Sequence, residues 1–271
     1  MYQPRRVLIT GGSSGLGLSF AKAFATRGAD LVLLARGEAG LAGARAQIAA
    51  QAPAARVETL AIDVANGRAV QTAAAQLARG GNIDLLINCA GILREGYLET
   101  LPENDFREMI DINLFGTVHS VHAFLPQLRA TRGRIVNISS LSGVTGIFGY
   151  SGYCASKFAV QGYSEVLRLE LRPQGIAVHV VCPGEFESPM LAALAQEGRT
   201  PENRAHATRL PAISVETVVR DTFRGIERGE YEIVPGRLAR VAAFAVRHFP
   251  RITRMISDRR IGGVYVGPQE P

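Results

Sequence analysis

Thr10-Gly11-Gly12-Ser13-Ser14-Gly15-Leu16-Gly17 is the stretch from which the rest of the chain can be read. It follows a short apolar run, Arg6–Thr10, and opens a helical pattern over 15–27. Glycines let the backbone approach a ligand closely, and the helix N-terminus is then available to an anion such as a pyrophosphate. The spacing G-x-x-x-G-x-G differs from the commoner G-x-G-x-x-G. Taken alone, the loop also reads as a tight strand-to-helix turn with no ligand.

Outward from this loop, the periodicity predicts strands at 6–10, 30–34, 57–62, 83–87, 134–138 and 177–181, with a seventh at 231–234. Helical patterns fall between them at 15–27, 38–51, 67–79, 104–130, 151–172 and 215–228. This alternation predicts an α/β fold, a doubly wound Rossmann-type parallel sheet of about seven strands with helices on both faces. No internal repeat or flexible linker interrupts it, so 1–271 reads as one domain. Two segments leave the rhythm. Residues 184–213 carry Pro189, Gly198, Pro201 and Pro211 around one short helical run, as a substrate lid would. Residues 236–261 form a basic, amphipathic extension broken at Pro250.

The bulk composition narrows the function classes. With 47% hydrophobic and 20% charged residues the chain has enough apolar material for a large core. It has no 18-residue uncharged apolar run and no leader pattern, which points to a cytoplasmic location. Cys89, Cys154 and Cys182 are scattered, with no metal-binding spacing, so no metal is expected. The formal net charge is +6, and 28 of the 30 basic residues are arginine. Basic runs interleaved with aromatics are missing before the tail, which argues against nucleic acid as a partner. Lysine is kept only at Lys22 and Lys157, and a compact ammonium is not interchangeable with a guanidinium.

Lys157 closes the stretch Tyr153-Cys154-Ala155-Ser156-Lys157. Side chains four apart on a helix share a face. The ammonium is therefore placed to lower the phenol's pKa, making Tyr153 a proton donor and acceptor. Ser140 stands thirteen residues upstream, with Ser139, Ser142 and Tyr150 as competitors for the polar roles. At the end of the second strand, Leu34-Ala35-Arg36 has no carboxylate to hold an adenosine ribose. Arg36 is suited instead to a 2′-phosphate, so NADP(H) is preferred over NAD(H).

Together these residues resemble the short-chain dehydrogenase/reductase family. The resemblance rests on the glycine loop, Asp63-Val64, Asn88-Cys89-Ala90-Gly91, Asn113, Ser140, Tyr153, Lys157 and Pro183-Gly184, in the family's order over about 5–235. It implies an NADPH-dependent carbonyl reductase or alcohol dehydrogenase. Tyr153 would protonate the carbonyl oxygen and Ser140 would donate to it. Lys157 would tune the phenol and hold the nicotinamide ribose, and Asn113 would hold a proton-relay water. Thr10, Gly11, Ser13, Ser14, Gly15, Leu16 and Gly17 would cradle the pyrophosphate, with Asp63 and Val64 flanking the adenine. Asn88, Ala90, Gly91, Pro183, Gly184, Phe186 and Ser188 would complete the cofactor contacts. Cys89, Phe186 and Ser188 depart from the usual pattern without removing a catalytic atom. The family also implies a homodimer or homotetramer through helices 104–130 and 151–172.

Within the family the chain is most similar to 3-ketodihydrosphingosine reductases, which implies a long-chain lipid ketone as substrate. Other fatty ketones, steroids, or a non-catalytic dinucleotide-sensing role are the alternatives. On that reading Glu185 and Glu187 attract a substrate ammonium, and Met190 helps line an apolar channel. The basic extension is expected either to touch a membrane peripherally or to cover the active site.

Overall fold

Val7 and Ile9 of the first strand pack into one hydrophobic layer and Leu8 into another, so the strand is buried on both faces. A strand with two apolar faces belongs at the centre of a parallel sheet covered by helices. The computed structural model, which describes residues 2–207 and 210–268, has this arrangement. Its strands are β1 (Arg6–Thr10), β2 (Asp30–Ala35), β3 (Val57–Ala61), β4 (Leu85–Asn88), β5 (Arg134–Ile138), β6 (Ala177–Val181) and the short β7 (Glu232–Ile233). All pair in parallel in the order β3-β2-β1-β4-β5-β6-β7.

The helices are α1 (Gly15–Ala25), α2 (Glu38–Gln51), α3 (Gly67–Leu77), α4 (Glu103–Ile110), α5 (Gly116–Thr131), α6 (Ser151–Leu171), α7 (Pro189–Glu197), α8 (Pro201–Ala207), α9 (Val215–Arg228), α10 (Arg237–His248) and α11 (Pro250–Gly262). Residues of α1, α2 and α9 share a core with Val7, Ile9, Leu31 and Leu33. Residues of α3, α5 and α6 pack on the opposite layer with Leu8, Val32 and Leu34. The chain leaves β1 for β2 on one side and returns to β4 on the other. That reversal opens a crevice beyond the carboxyl ends of the strands, the usual ligand position in open α/β sheets. Among the described residues, no helix is long and apolar enough to cross a membrane.

Two expectations change. The single helix predicted over 104–130 is interrupted by a π-helical turn, Asp111–Phe115, between α4 and α5. The turn contains Asn113, whose carboxamide bonds outside the helix to Ile92 and Ser156. Such turns often mark functional sites. The segment 184–213 holds two helices, not one. Ser188 caps α7 through the Leu191 N–H at 3.2 Å. The segment's two ends meet in a parallel bridge between Phe186 and Ile213. The extension divides into α10 and α11 at Pro250, which suits the first turn of α11 because it needs no N–H there.

A further tie fixes the end of the chain. Glu202 of α8 is fully buried. Its carboxylate accepts from the Tyr97 hydroxyl at 2.9 Å and from the Val266 and Gly267 N–H groups at 2.7 and 3.3 Å. Burial alone would raise its pKa, but these hydrogen bonds outweigh it and hold the carboxyl below its usual range.

Candidate active site

A cleft of about 1330 Å³ runs from the glycine loop past Tyr153 to the inner sides of α7, α10 and α11. Ligand pockets usually span roughly 300–1,000 Å³, so this one has room for more than one small molecule.

The glycine loop forms its floor. A Cβ at Gly17 would lie 2.3 Å from the Gly11 carbonyl oxygen, so only glycine lets α1 pack this close to β1. Ser14 caps α1 by position with extended backbone, yet makes no side-chain capping bond, and no acidic residue stands in the first turn. The helix N-terminus, with Ser13, Gly15 and Leu16 beside it on the cleft wall, fits a diphosphate. Thr10 does not line the cleft. Its Oγ1 accepts from the Cys89 and Ala90 N–H groups at 3.0 and 3.1 Å and so locks the ends of β1 and β4 together.

Asp63, Val64, Ala90 and Gly91 line the same region, and the Asp63 carboxylate is steadied by the Ala65 N–H at 2.9 Å. Arg36 reaches the cleft from the end of β2. There it lies 3.7 Å from Glu108, which is also 3.5 Å from Arg94, a second cleft-lining arginine that the sequence did not single out. Asn88 faces away from the cleft. Its Nδ2 donates to Asn137 at 2.8 Å, and Asn137 in turn donates to Ser164 at 2.9 Å, joining β4, β5 and α6 through a buried polar chain.

Tyr153 and Lys157 lie one turn apart on α6, both buried. Lys157 Nζ is 5.5 Å from the Tyr153 ring centre and donates to the Ile138 carbonyl at 3.0 Å. Burial pushes the Tyr153 phenol up, opposed by its hydrogen bond with the Ser140 hydroxyl. Burial also pulls Lys157 down to about 8. The lowered phenol expected from the four-residue spacing is therefore not the resting state, because desolvation dominates and the ammonium is engaged by a carbonyl. Ser139 is a poor substitute for Ser140, since its hydroxyl is spent on the Lys157 carbonyl at 3.0 Å. Tyr150 is likewise occupied, accepting from Arg199 at 2.9 Å.

Asn113 is 1% exposed and does not reach the cleft. Its Oδ1 accepts from the Ile92 N–H at 2.8 Å, and its Nδ2 donates to the Ile92 carbonyl at 3.0 Å and to Ser156 at 2.9 Å. A Cβ at Gly91 would sit 3.2 Å from Asn113 Oδ1 and 3.5 Å from Lys157 Nζ, so the three groups are packed together.

Pro183, Gly184, Phe186, Ser188 and Met190 all line the cleft. Ser188 uses its oxygen as the α7 cap, which leaves its proton to donate. The two glutamates are not arranged as an ammonium trap, which corrects that expectation. Glu185 lines the cleft but forms an ion pair with Arg199, whose side chain is 9% exposed. Glu187 is exposed and not part of the cleft wall. Sequence reasoning missed Arg199, which also bonds Asn203 at 2.7 Å. Among 28 arginines nothing in its local sequence marked it.

Fold and site together define a doubly wound α/β protein with serine, tyrosine and lysine side chains lining one cleft beside a glycine loop at a helix N-terminus. The family described as short chain dehydrogenase matches residues 5–198, and the chain belongs to it. The 3-ketodihydrosphingosine reductase of Bacteroides thetaiotaomicron is 39% identical over 188 residues, covering 69% of this chain and 65% of that protein. Among solved structures, a short chain dehydrogenase/reductase from Burkholderia phymatum in complex with NAD superposes with a TM-score of 0.81. It shows 26% identity and covers 100% of this chain and 99% of that one. A short chain dehydrogenase from Burkholderia cenocepacia in complex with NADP gives a TM-score of 0.79 at 26% identity, covering 94% and 98%. The chain spans between 54% and 65% of the length of four curated relatives.

Proposed function

We propose that the protein interconverts a hydrophobic ketone and its secondary alcohol with a nicotinamide dinucleotide, NADP(H) in preference to NAD(H). The observation that carries this reading is the convergence of Ser140, Tyr153 and Lys157 on a cleft that the glycine loop also lines. The glycine loop, Arg36, Asp63, Val64, Ala90 and Gly91 would hold the dinucleotide, which when bound supplies or accepts the hydride at the carbonyl carbon.

The chain's own part is proton transfer and charge stabilisation. In reduction the Tyr153 hydroxyl gives its proton to the carbonyl oxygen while Ser140 donates a hydrogen bond to that oxygen. The phenolate left behind is stabilised by the Lys157 ammonium and regains its proton from solvent by way of that ammonium. Asn113 acts through position, since its amide binds both backbone groups of Ile92 and the Ser156 hydroxyl next to Lys157. A non-catalytic sensor would have no use for the three groups together.

The substrate wall supports a long, apolar ketone. Leu194 is buried with Tyr150 and Tyr153, and Ile147, Leu93 and Leu191 pack against them. A 3-ketodihydrosphingosine-like lipid suits this wall and the 39% identical relative. The Arg199–Glu185 pair favours a second reading, a fatty ketone or steroid without an amino group, because the Glu185 carboxylate on the cleft wall is already paired. Exposed Phe115, Val166 and Leu169 near α5 and on α6 suit a subunit contact, consistent with a homodimer or homotetramer. The test is NADPH oxidation across long-chain amino-ketones, plain 3-keto lipids and steroids. Ketone-dependent turnover lost in Tyr153→Phe supports the proposal, and no turnover with any of these classes overturns it.

A further inference from the structure

The segment 237–262 carries seven arginines against one aspartate. That excess equals the whole formal net charge of the chain, +6, so the remaining residues are balanced. The same segment carries large apolar residues on its outward side. On α11, Thr253, Ser257 and Asp258 face the cleft, while Ile252, Met255 and Ile256 face outward. On α10, small Ala239 and Ala243 are buried, while Leu238, Val241 and Phe244 face outward. These six outward apolar residues are between 39% and 65% exposed. At a spacing of three and four residues they form a continuous stripe along each helix. The inner side also holds Ala242, Ala245, Val246 and Ile261 against the cleft, so closing the cleft leaves the outward stripe without a use.

We propose that the outward face of α10 and α11 docks on an anionic lipid bilayer. The stripe supplies area to bury among the acyl chains at the headgroup boundary, and Arg237, Arg240, Arg251, Arg259 and Arg260, exposed and outside the cleft lining, supply attraction to anionic headgroups. A second copy of this chain is a poor occupant. Two-fold pairing would set the same arginines against each other, and like charges facing across an interface disfavour it. Because the inner side of α10 and α11 is cleft wall, docking would place the cleft beside the lipid phase. The inference concerns a binding surface and holds whichever ketone is reduced.

The test is co-sedimentation of the full chain with vesicles of phosphatidylcholine alone and of phosphatidylcholine with phosphatidylglycerol. Binding is expected to the second and to fall in about 1 M salt, where the screening length shrinks to about 3 Å. Arg251→Gln with Arg259→Gln should weaken it by about fivefold per arginine. Phe244→Ser with Ile252→Ser should weaken it too, and both variants should keep wild-type turnover of a short, water-soluble ketone. The arginine variant keeps the test open should the serine variant fold poorly. No binding to anionic vesicles overturns the proposal, as does equal binding by the arginine variant. A wild-type dimer that ignores vesicles and dissociates in the serine variant also overturns it, assigning the face to a second copy.

Discussion

Lys157 is anchored to the end of β5 by the Ile138 carbonyl at 3.0 Å while its Nζ lies 5.5 Å from the centre of the Tyr153 ring. The charge is thus positioned beside the phenol by the sheet and does not depend on a direct bond to it. It is also a costly charge, since burial pulls Lys157 down to about 8. Unfolded lysine titrates near 10.4, so between about pH 8 and pH 10 the unfolded chain holds a proton the folded one lacks. Stability should therefore rise with pH across that window, relative to Lys157→Met, in thermal unfolding of the cofactor-free protein. Over the same range kcat/KM for the dinucleotide should fall as the ammonium is lost. A flat difference between wild type and Lys157→Met would contradict this account.

Tyr153→Phe keeps the ring that meets Tyr150 edge-on at 5.8 Å and removes only the proton donor. Turnover should drop by about 10²–10⁴-fold, the usual weight of a general acid. Dinucleotide affinity, read by fluorescence titration, should stay near the wild-type value.

Glu108 sits between Arg36 and Arg94 and competes for both cations. Glu108→Gln should tighten NADPH by up to about fivefold, the equivalent of the ~1 kcal/mol ceiling for exposed ion pairs. NADH binding should be unchanged, and Arg36→Met should weaken NADPH alone. Calorimetric titration of both cofactors decides the point, and tighter NADH than NADPH binding in the wild type would refute the assignment of Arg36.

Asn113→Ala would leave the Ile92 N–H and carbonyl without their partners behind the cleft. A buried polar group left unpaired costs about 1–3 kcal/mol, so a loss of about 2–4 kcal/mol is expected in urea unfolding.

Arg199 and Glu185 form a half-buried ion pair in the lid. Removing one partner strands the other charge, so Arg199→Met should destabilise more than Arg199→Met with Glu185→Gln. A double-mutant cycle should give a coupling of about 1–3 kcal/mol.

The sheet was legible because its central strands are apolar on both faces, as Val7, Leu8 and Ile9 are. Ser140, Tyr153 and Lys157 were legible because proton transfer beside a carbonyl admits few residue types, and their spacings are local. What was hidden depended on distant partners. At the break in the helix, Asn113 bonds to Ile92 and Ser156, 21 and 43 residues away. The charges of Glu185 and Glu187 were visible, but Arg199, the counterion that neutralises one of them, was not. Likewise the tail's helical spacing showed a stripe without showing which way it faced.

Glu202 gives the far end of the chain a mechanical task. The N–H groups of Val266 and Gly267 are the tether by which residues beyond α11 grip the lid helix α8. Cutting the chain before Val266 would leave that carboxylate sealed inside with two of its donors gone and the Tyr97 hydroxyl still bound. A purification handle fused behind Gly267 would tug on the same strut. In either case the first symptom would be a slack substrate wall, reported as a raised KM, in a sheet that still folds.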